Sequence, residues 1–332
     1  LLIITMMSMC DNRGSLIPRD LAQRYIGYMT YGLKYFGDTQ PTTPNPSMRA
    51  LVLQPDYADN PFACAGKQTS AAGGKHAYGV STSRACLAAI TFQPAACAEV
   101  IVSMTNPDPR CIAAASFMAL ICNVFIFAPE TPVMDALNAS VNEAIKDLTS
   151  EHKQEFADWT KRGMGKLADL ELGTMGKASY VMRSFGVCVW ACQIAALMQK
   201  HDRRCDLKLT LLKIANEGGD ADTNCACAGA ILGAYMGFQS ISEHTHMPNH
   251  LKLNGVIARW ISIMFRPTTK EEDARAAHEH ETAHEETQST PSQSPTPSPD
   301  QTTPASEEAS QTSDLPREVV ATEPPHQSPE AT

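Results

Sequence analysis

With 332 residues, 43% of them apolar and 6% aromatic, the chain is long enough for one large domain or two smaller ones with a buried core. Its formal charge of −9 is unevenly placed: from position 267 onward three basic residues face fourteen acidic ones, which leaves 24 basic and 22 acidic residues in 1–266. A nearly neutral body without a basic stripe excludes charge-driven nucleic-acid binding, and eleven cysteines with neither a C-x-x-C pair nor a secretory leader exclude a disulfide scaffold and point to an intracellular, by default cytoplasmic, setting.

The elements follow in chain order. Leu1 to Met9 is apolar but too short to cross a bilayer, and no other run reaches membrane length uninterrupted, so no membrane association is expected. The chain opens on Leu and reads as starting inside an element. Residues 15–37 carry Pro18 near the start, Leu21, Tyr25, Met29 and Leu33 at four-residue steps, and Gly37 as a stop, the pattern of a helix. The segment 38–85 is rich in Pro, Gly, Ser and Thr and reads as loops with short helices. Helices are expected at 93–104 and 109–128, hinged at Asn106-Pro107-Asp108-Pro109. The second is apolar nearly all round from Arg110 to Phe127 and is therefore central. Further helices are expected at 131–149, 177–199, 206–216, 223–238 and 251–265. No useful length alternates as a strand would, so the body, 1–266, is predicted to be an all-α, compact multi-helix bundle. Residues 267–332 hold ten of the 22 prolines and almost no large apolar side chains. They are expected to form a disordered acidic tail.

Chemistry concentrates at Gly218-Gly219-Asp220-Ala221-Asp222-Thr223. Two glycines permit a tight turn, and two carboxylates with a hydroxyl converge just before a helix, a donor set suited to a hard cation such as Mg²⁺ or Mn²⁺. Taken alone, the run also fits an N-capping loop, in which Asp222 or Thr223 merely satisfies free helix N–H groups. The helix that follows places Gly229, Gly233 and Gly237 on one face. Each interior glycine costs about 1 kcal/mol relative to alanine, so a close approach by a neighbouring helix is expected there, holding the acidic turn rigid. His280-Glu281-Thr282-Ala283-His284 matches the zinc-protease pattern H-E-x-x-H, but it lies in the acidic tail without an apolar face and reads as a solvated charge run. The other histidines, His152 among them, read as surface or hydrogen-bonded groups.

Glu217 to Gly237, EGGDADTNCACAGAILGAYMG, resembles the C-terminal signature of the ADP-ribosylglycohydrolase family, G-G-D-x-D-T followed by a small-residue helix. Thr105-Asn106-Pro107-Asp108-Pro109-Arg110-Cys111 is similar to that family's T-H-x-D-P-R-C segment. Asp38-Thr39, Asp59 to Ala63, Leu170-Glu171 and Gly176 to Ala191 fall in the matching order. The resemblance implies an all-α fold, a two-ion Mg²⁺ or Mn²⁺ site, and a metal-dependent hydrolase that removes ADP-ribose from modified proteins or small ADP-ribosyl conjugates. It implies metal ligation by Asp220, Asp222 and Thr223, and substrate contacts near Gly73, Gly74 and Asn106; no catalytic residue is assigned. Three departures accompany it. The family's other ligand segments, an N-terminal Gly-Asp and a Thr-Asp-Asp-Thr run, are absent; Leu1 to Met7 looks like the helix directly after the latter. Asn106 replaces a pocket histidine, and the N-G-x-x-M-R loop survives at best as Ala71-Ala72-Gly73-Gly74 through Arg84. The alternative is a catalytically inactive ADP-ribose-binding or structural relative with half of the ligand set.

Overall fold

Two apolar helices form the middle of the molecule. In the computed structural model, which describes residues 1–40, 46–71, 79–237 and 249–266 of the unit Leu1–Pro267, these are α6 (Pro109–Phe127) and α9 (Val181–His201). Helix α6 begins where Asp108 accepts a hydrogen bond from the Arg110 backbone N–H at 2.9 Å, with Pro109 in the first helical position. Eleven of its side chains are buried, and fourteen of those on α9, so neither helix has a polar face to turn outward.

Around this pair the chain lays α5 (Pro94–Ser103), α7 (Val133–Ile145), α8 (Ser150–Gly163), α10 (Leu207–Asn216) and α11 (Ala221–Met236). A 3-10 segment, Gly79–Ile90, slides its small residues Ala85, Ala88 and Ala89 into the same core. Phe185 of α9 joins three helices: its ring meets Phe117 of α6 at 5.2 Å and Phe156 of α8 at 4.7 Å, both edge-on. The core is rich in sulfur. Cys122, Cys188, Cys192 and Cys227 are buried, none of the eleven cysteines is in a disulfide, and burial pushes the Cys86 thiol up to about 12. These thiols are inert fillers of the kind expected from the sequence.

A second apolar cluster joins α1 (Leu2–Asp11), α2 (Pro18–Tyr31), α3 (Pro46–Val52) and α4 (Pro61–Ala71) through Ile4, Tyr25, Leu51, Val52 and Tyr57. Arg84 connects it to the α5–α6 turn: fully buried, it donates to Tyr25 Oη at 2.9 Å and to Thr105 Oγ1 at 2.7 Å. The remaining helix, α12 (His250–Met264), packs Val256 and Trp260 against Met6 and Met9 of α1, and Arg259 pairs with Asp11 at 2.7 Å.

The fold is all-α: the described residues contain helices and turns and no strand. Several details differ from the sequence expectation. The helix expected over 15–37 ends at Tyr31, because Gly32 leaves at φ +71° and the space for a Cβ is taken by the Gln40 carbonyl, 2.5 Å away; Lys34–Phe36 is a separate 3-10 turn. Helix α8 was not anticipated at all. Residues 177–180 are turns that precede α9 and not part of it. Helices α6 and α9 do reach membrane-spanning length, with 61% and 78% of the apolar window buried inside the bundle, as core helices would be. The expected close approach at the α11 glycines does not occur where it can be read. A Cβ on Gly229 would meet only Leu211 at an ordinary 3.9 Å, and Gly237 serves as the helix end at φ +75°. The tight helix crossing lies elsewhere, at Gly163 of α8, where a Cβ would stand 2.7 Å from the Gly186 carbonyl of α9. The tail and its H-E-x-x-H run lie outside the described residues.

Candidate functional site

The acidic loop is built on backbone fit. Between α10 and α11 the chain turns through Gly218 at φ +75° and Gly219 at φ +71°, a region that side-chain-bearing residues avoid. Gly219 lies flat on the Leu172 carbonyl, and a Cβ there would come within 2.0 Å of that oxygen. The partner loop is itself braced: Arg183, buried on α9, donates through Nη1 to the carbonyls of Glu171 and Leu172, the latter at 3.1 Å. A guanidinium, a carbonyl and a glycine thus fix the height at which α11 starts.

At that start Asp220 occupies the N-cap position of α11, yet its side chain makes no capping hydrogen bond. An aspartate in that position normally accepts from the second or third helical N–H. Here the carboxyl group turns instead toward Asp222, the Thr223 hydroxyl and the Ser179 hydroxyl. Its Oδ2 is buried and has no hydrogen-bond partner. Burial first, and then the neighbouring Asp222 carboxylate, raise the Asp220 pKa. The hydrogen bond from Asp220 holds Asp222 below the usual carboxylate range, helped by the Thr223 backbone N–H at 2.9 Å. Asp222 lies in the first turn of α11, where the helix dipole favours its negative charge. A buried orphan oxygen, a second carboxylate and a buried threonine hydroxyl fit a hard divalent cation. Among the described residues no group of three or more His, Cys, Asp or Glu side chains converges to hold a metal.

A second polar cluster adjoins the loop. Asp108 binds Arg110 through both oxygens, at 2.9 and 2.8 Å. Burial alone would raise its pKa, but the Arg110 hydrogen bonds overrule that and hold it low. Arg110 also donates to Tyr180 Oη at 3.2 Å, and Tyr180 donates to Glu155 of α8. His152 of α8 carries a buried Nδ1 with no partner, so it is neither a surface nor a hydrogen-bonded imidazole at that atom. Tyr180 occupies the N-cap position of α9.

Of the residues singled out from sequence, the structure brings Asp220, Asp222 and Thr223 together. Asn106 lies half-buried in the α5–α6 turn, its backbone N–H donating to Val102 at 2.8 Å. Gly73 and Gly74 lie outside the described residues. Sequence reading missed Ser179, Tyr180, Arg183 and the fully buried Asn224, whose Oδ1 accepts from Ser184 at 3.2 Å. Their pairings span forty residues or more in several cases, and no spacing rule reports them. The local signal was the Gly176 to Ala191 match, which contains Ser179, Tyr180 and Arg183 without giving any of them a role.

The described body is an all-α bundle that presents an acidic loop, braced from below, at a helix start. A family model described as ADP-ribosylglycohydrolase matches residues 1–271. The chain belongs to the ADP-ribosylglycohydrolase family, a family of hydrolases acting on ADP-ribose conjugates. No curated protein matches it in sequence.

Proposed function

We propose that this chain hydrolyses ADP-ribosyl conjugates, releasing ADP-ribose from modified proteins or small molecules, with Mg²⁺ or Mn²⁺ held by Asp220, Asp222 and Thr223. The observation that carries the reading is the N-cap aspartate that does not cap. Asp220 forgoes the helix N–H groups, faces Asp222, and leaves Oδ2 buried and unpartnered. A loop selected only to start a helix would satisfy that atom. When bound, the cation would supply Lewis-acid polarisation of sugar hydroxyls and a more acidic water.

The protein's own contribution is position and charge. The Leu172 carbonyl and Arg183 fix the loop, and the α11 N-terminus favours the Asp222 charge. A second reading, a non-catalytic ADP-ribose binder, draws on one observation. Among the described residues the carboxylate pair has no third carboxylate or imidazole beside it.

Calorimetric titration of the full chain with ADP-ribose separates the two readings when paired with a turnover assay. Metal-dependent binding that is lost in Asp222→Ala, with release of ADP-ribose from a modified protein, supports the hydrolase. Metal-dependent binding without release supports the binder. Binding indifferent both to metal and to Asp222→Ala removes the metal role from either.

A further inference from the structure

We propose that Tyr180 is a positioning residue that couples the Asp108–Arg110 turn to the acidic loop, by holding the start of α9 so that Arg183 stays on the Leu172 carbonyl beneath Gly219. Five contacts make the chain of connection. Asp108 locks the Arg110 guanidinium in a two-pronged pair at 2.9 and 2.8 Å. Arg110 Nη1 donates to the Tyr180 hydroxyl at 3.2 Å, and that hydroxyl donates onward to the Glu155 carboxylate. Tyr180 is the N-cap of α9, and the Arg183 backbone N–H returns to its carbonyl at 2.9 Å. The Arg183 guanidinium in turn donates to the Leu172 carbonyl at 3.1 Å, the oxygen against which Gly219 lies.

The phenol is suited to this place. Burial first, then the Glu155 carboxylate, push its pKa up, so it remains a donor to Glu155 while accepting from Arg110. The ring also lies 5.8 Å from the Arg110 guanidinium, within cation–π range. Residues 171–180 are otherwise a series of turns closed by single backbone hydrogen bonds: Thr174 to Glu171, Lys177 to Thr174 and Tyr180 to Lys177, at 3.1, 3.3 and 3.1 Å. Such a segment has few anchors of its own. Tyr180 fixes its far end, as Arg183 fixes its near end at Glu171 and Leu172.

The mechanical coupling stands without a metal; its consequence for cation binding rests on the reading proposed above. The test uses the full-length chain and two readouts: hydrogen exchange at the Asn224 amide, which donates to the Asp220 carbonyl at 2.9 Å, and Mn²⁺ affinity by electron paramagnetic resonance. Tyr180→Phe keeps the ring and removes both hydroxyl contacts. It is expected to speed exchange at Asn224 about tenfold, the effect of losing a charge-assisted hydrogen bond, and to weaken Mn²⁺ binding by a similar factor. Amides in the middle of α6 should be unaffected. Glu155→Gln, which keeps an acceptor for the phenol, should restore most of the protection that Glu155→Ala removes. If Tyr180→Phe does not fold, Glu155→Ala removes the acceptor of the phenol alone and should give the same exchange effect. Wild-type exchange at Asn224 in the folded variant, with Mn²⁺ affinity unchanged, overturns the coupling and leaves the metal reading standing. Faster exchange in a protein whose wild type binds no Mn²⁺ upholds the coupling and overturns the metal reading.

Discussion

Gly219 shows how a single residue can set a site. Its φ of +71° and the Leu172 carbonyl where a Cβ would stand leave room for hydrogen alone. Gly219→Ala should destabilise the fold by at least about 1–2 kcal/mol through the left-handed conformation and the collision together, read as a lower urea midpoint; an unchanged midpoint would show that the loop is free to move. Asp108 gives a prediction in pH. Its folded pKa lies below its unfolded value, so its contribution is complete above about pH 4 and is lost as pH falls through the folded pKa. The stability gap between wild type and Asp108→Asn should therefore be widest at pH 7 and close toward pH 2.5. A gap constant over that range would mean that the ion pair with Arg110 does not form. At this scale the sequence was informative about Asp220, Asp222 and Thr223, which are neighbours in the chain. It was silent about Ser179, Arg183 and Leu172, whose contribution arises only when α9 is laid beside the loop.

Helices α6 and α9 were legible because an all-round apolar run has only one stable place, the middle of the bundle. Helix α8 was not legible, for a physical reason. It buries Phe156 and Gly163 and half-buries Trp159, a narrow stripe in a helix whose other positions are nearly all charged or polar. Its N-cap Thr149, whose hydroxyl accepts from the His152 N–H at 3.3 Å, was the available signal. Phe156 and Gly163, with Trp159 against Gly186, carry its docking. Phe156→Ala, which empties the space against Phe185, should cost about 3–5 kcal/mol, and a loss below 1 kcal/mol would show that α8 is held from elsewhere. The glycine stripe of α11 teaches the converse. Small residues at spacing four suggested a tight crossing, but Gly229 meets only the tip of Leu211, and the backbone-to-backbone approach belongs to Gly163 and Gly186. Glycine spacing reports where a helix can be approached and leaves open where it is.

For the whole molecule, the family and the all-α class were readable from one 21-residue stretch and the order of lesser matches, and the family model spans residues 1–271. The arrangement of the bundle was not, since it depends on contacts such as Phe117–Phe185–Phe156 and on the buried Arg84 bridge between two apolar clusters. What unites the scales is a loop whose position is set by packing and whose chemistry is set by two carboxylates. The most direct measurement is chromatographic detection of free ADP-ribose after incubating the purified full-length chain with an ADP-ribosylated protein, in Mg²⁺ and in chelator. Release in Mg²⁺ that stops with chelator and in Asp222→Ala is the expected result. Release unaffected by either, or none with Mg²⁺ present, would contradict the assignment of metal-dependent hydrolysis to Asp220, Asp222 and Thr223.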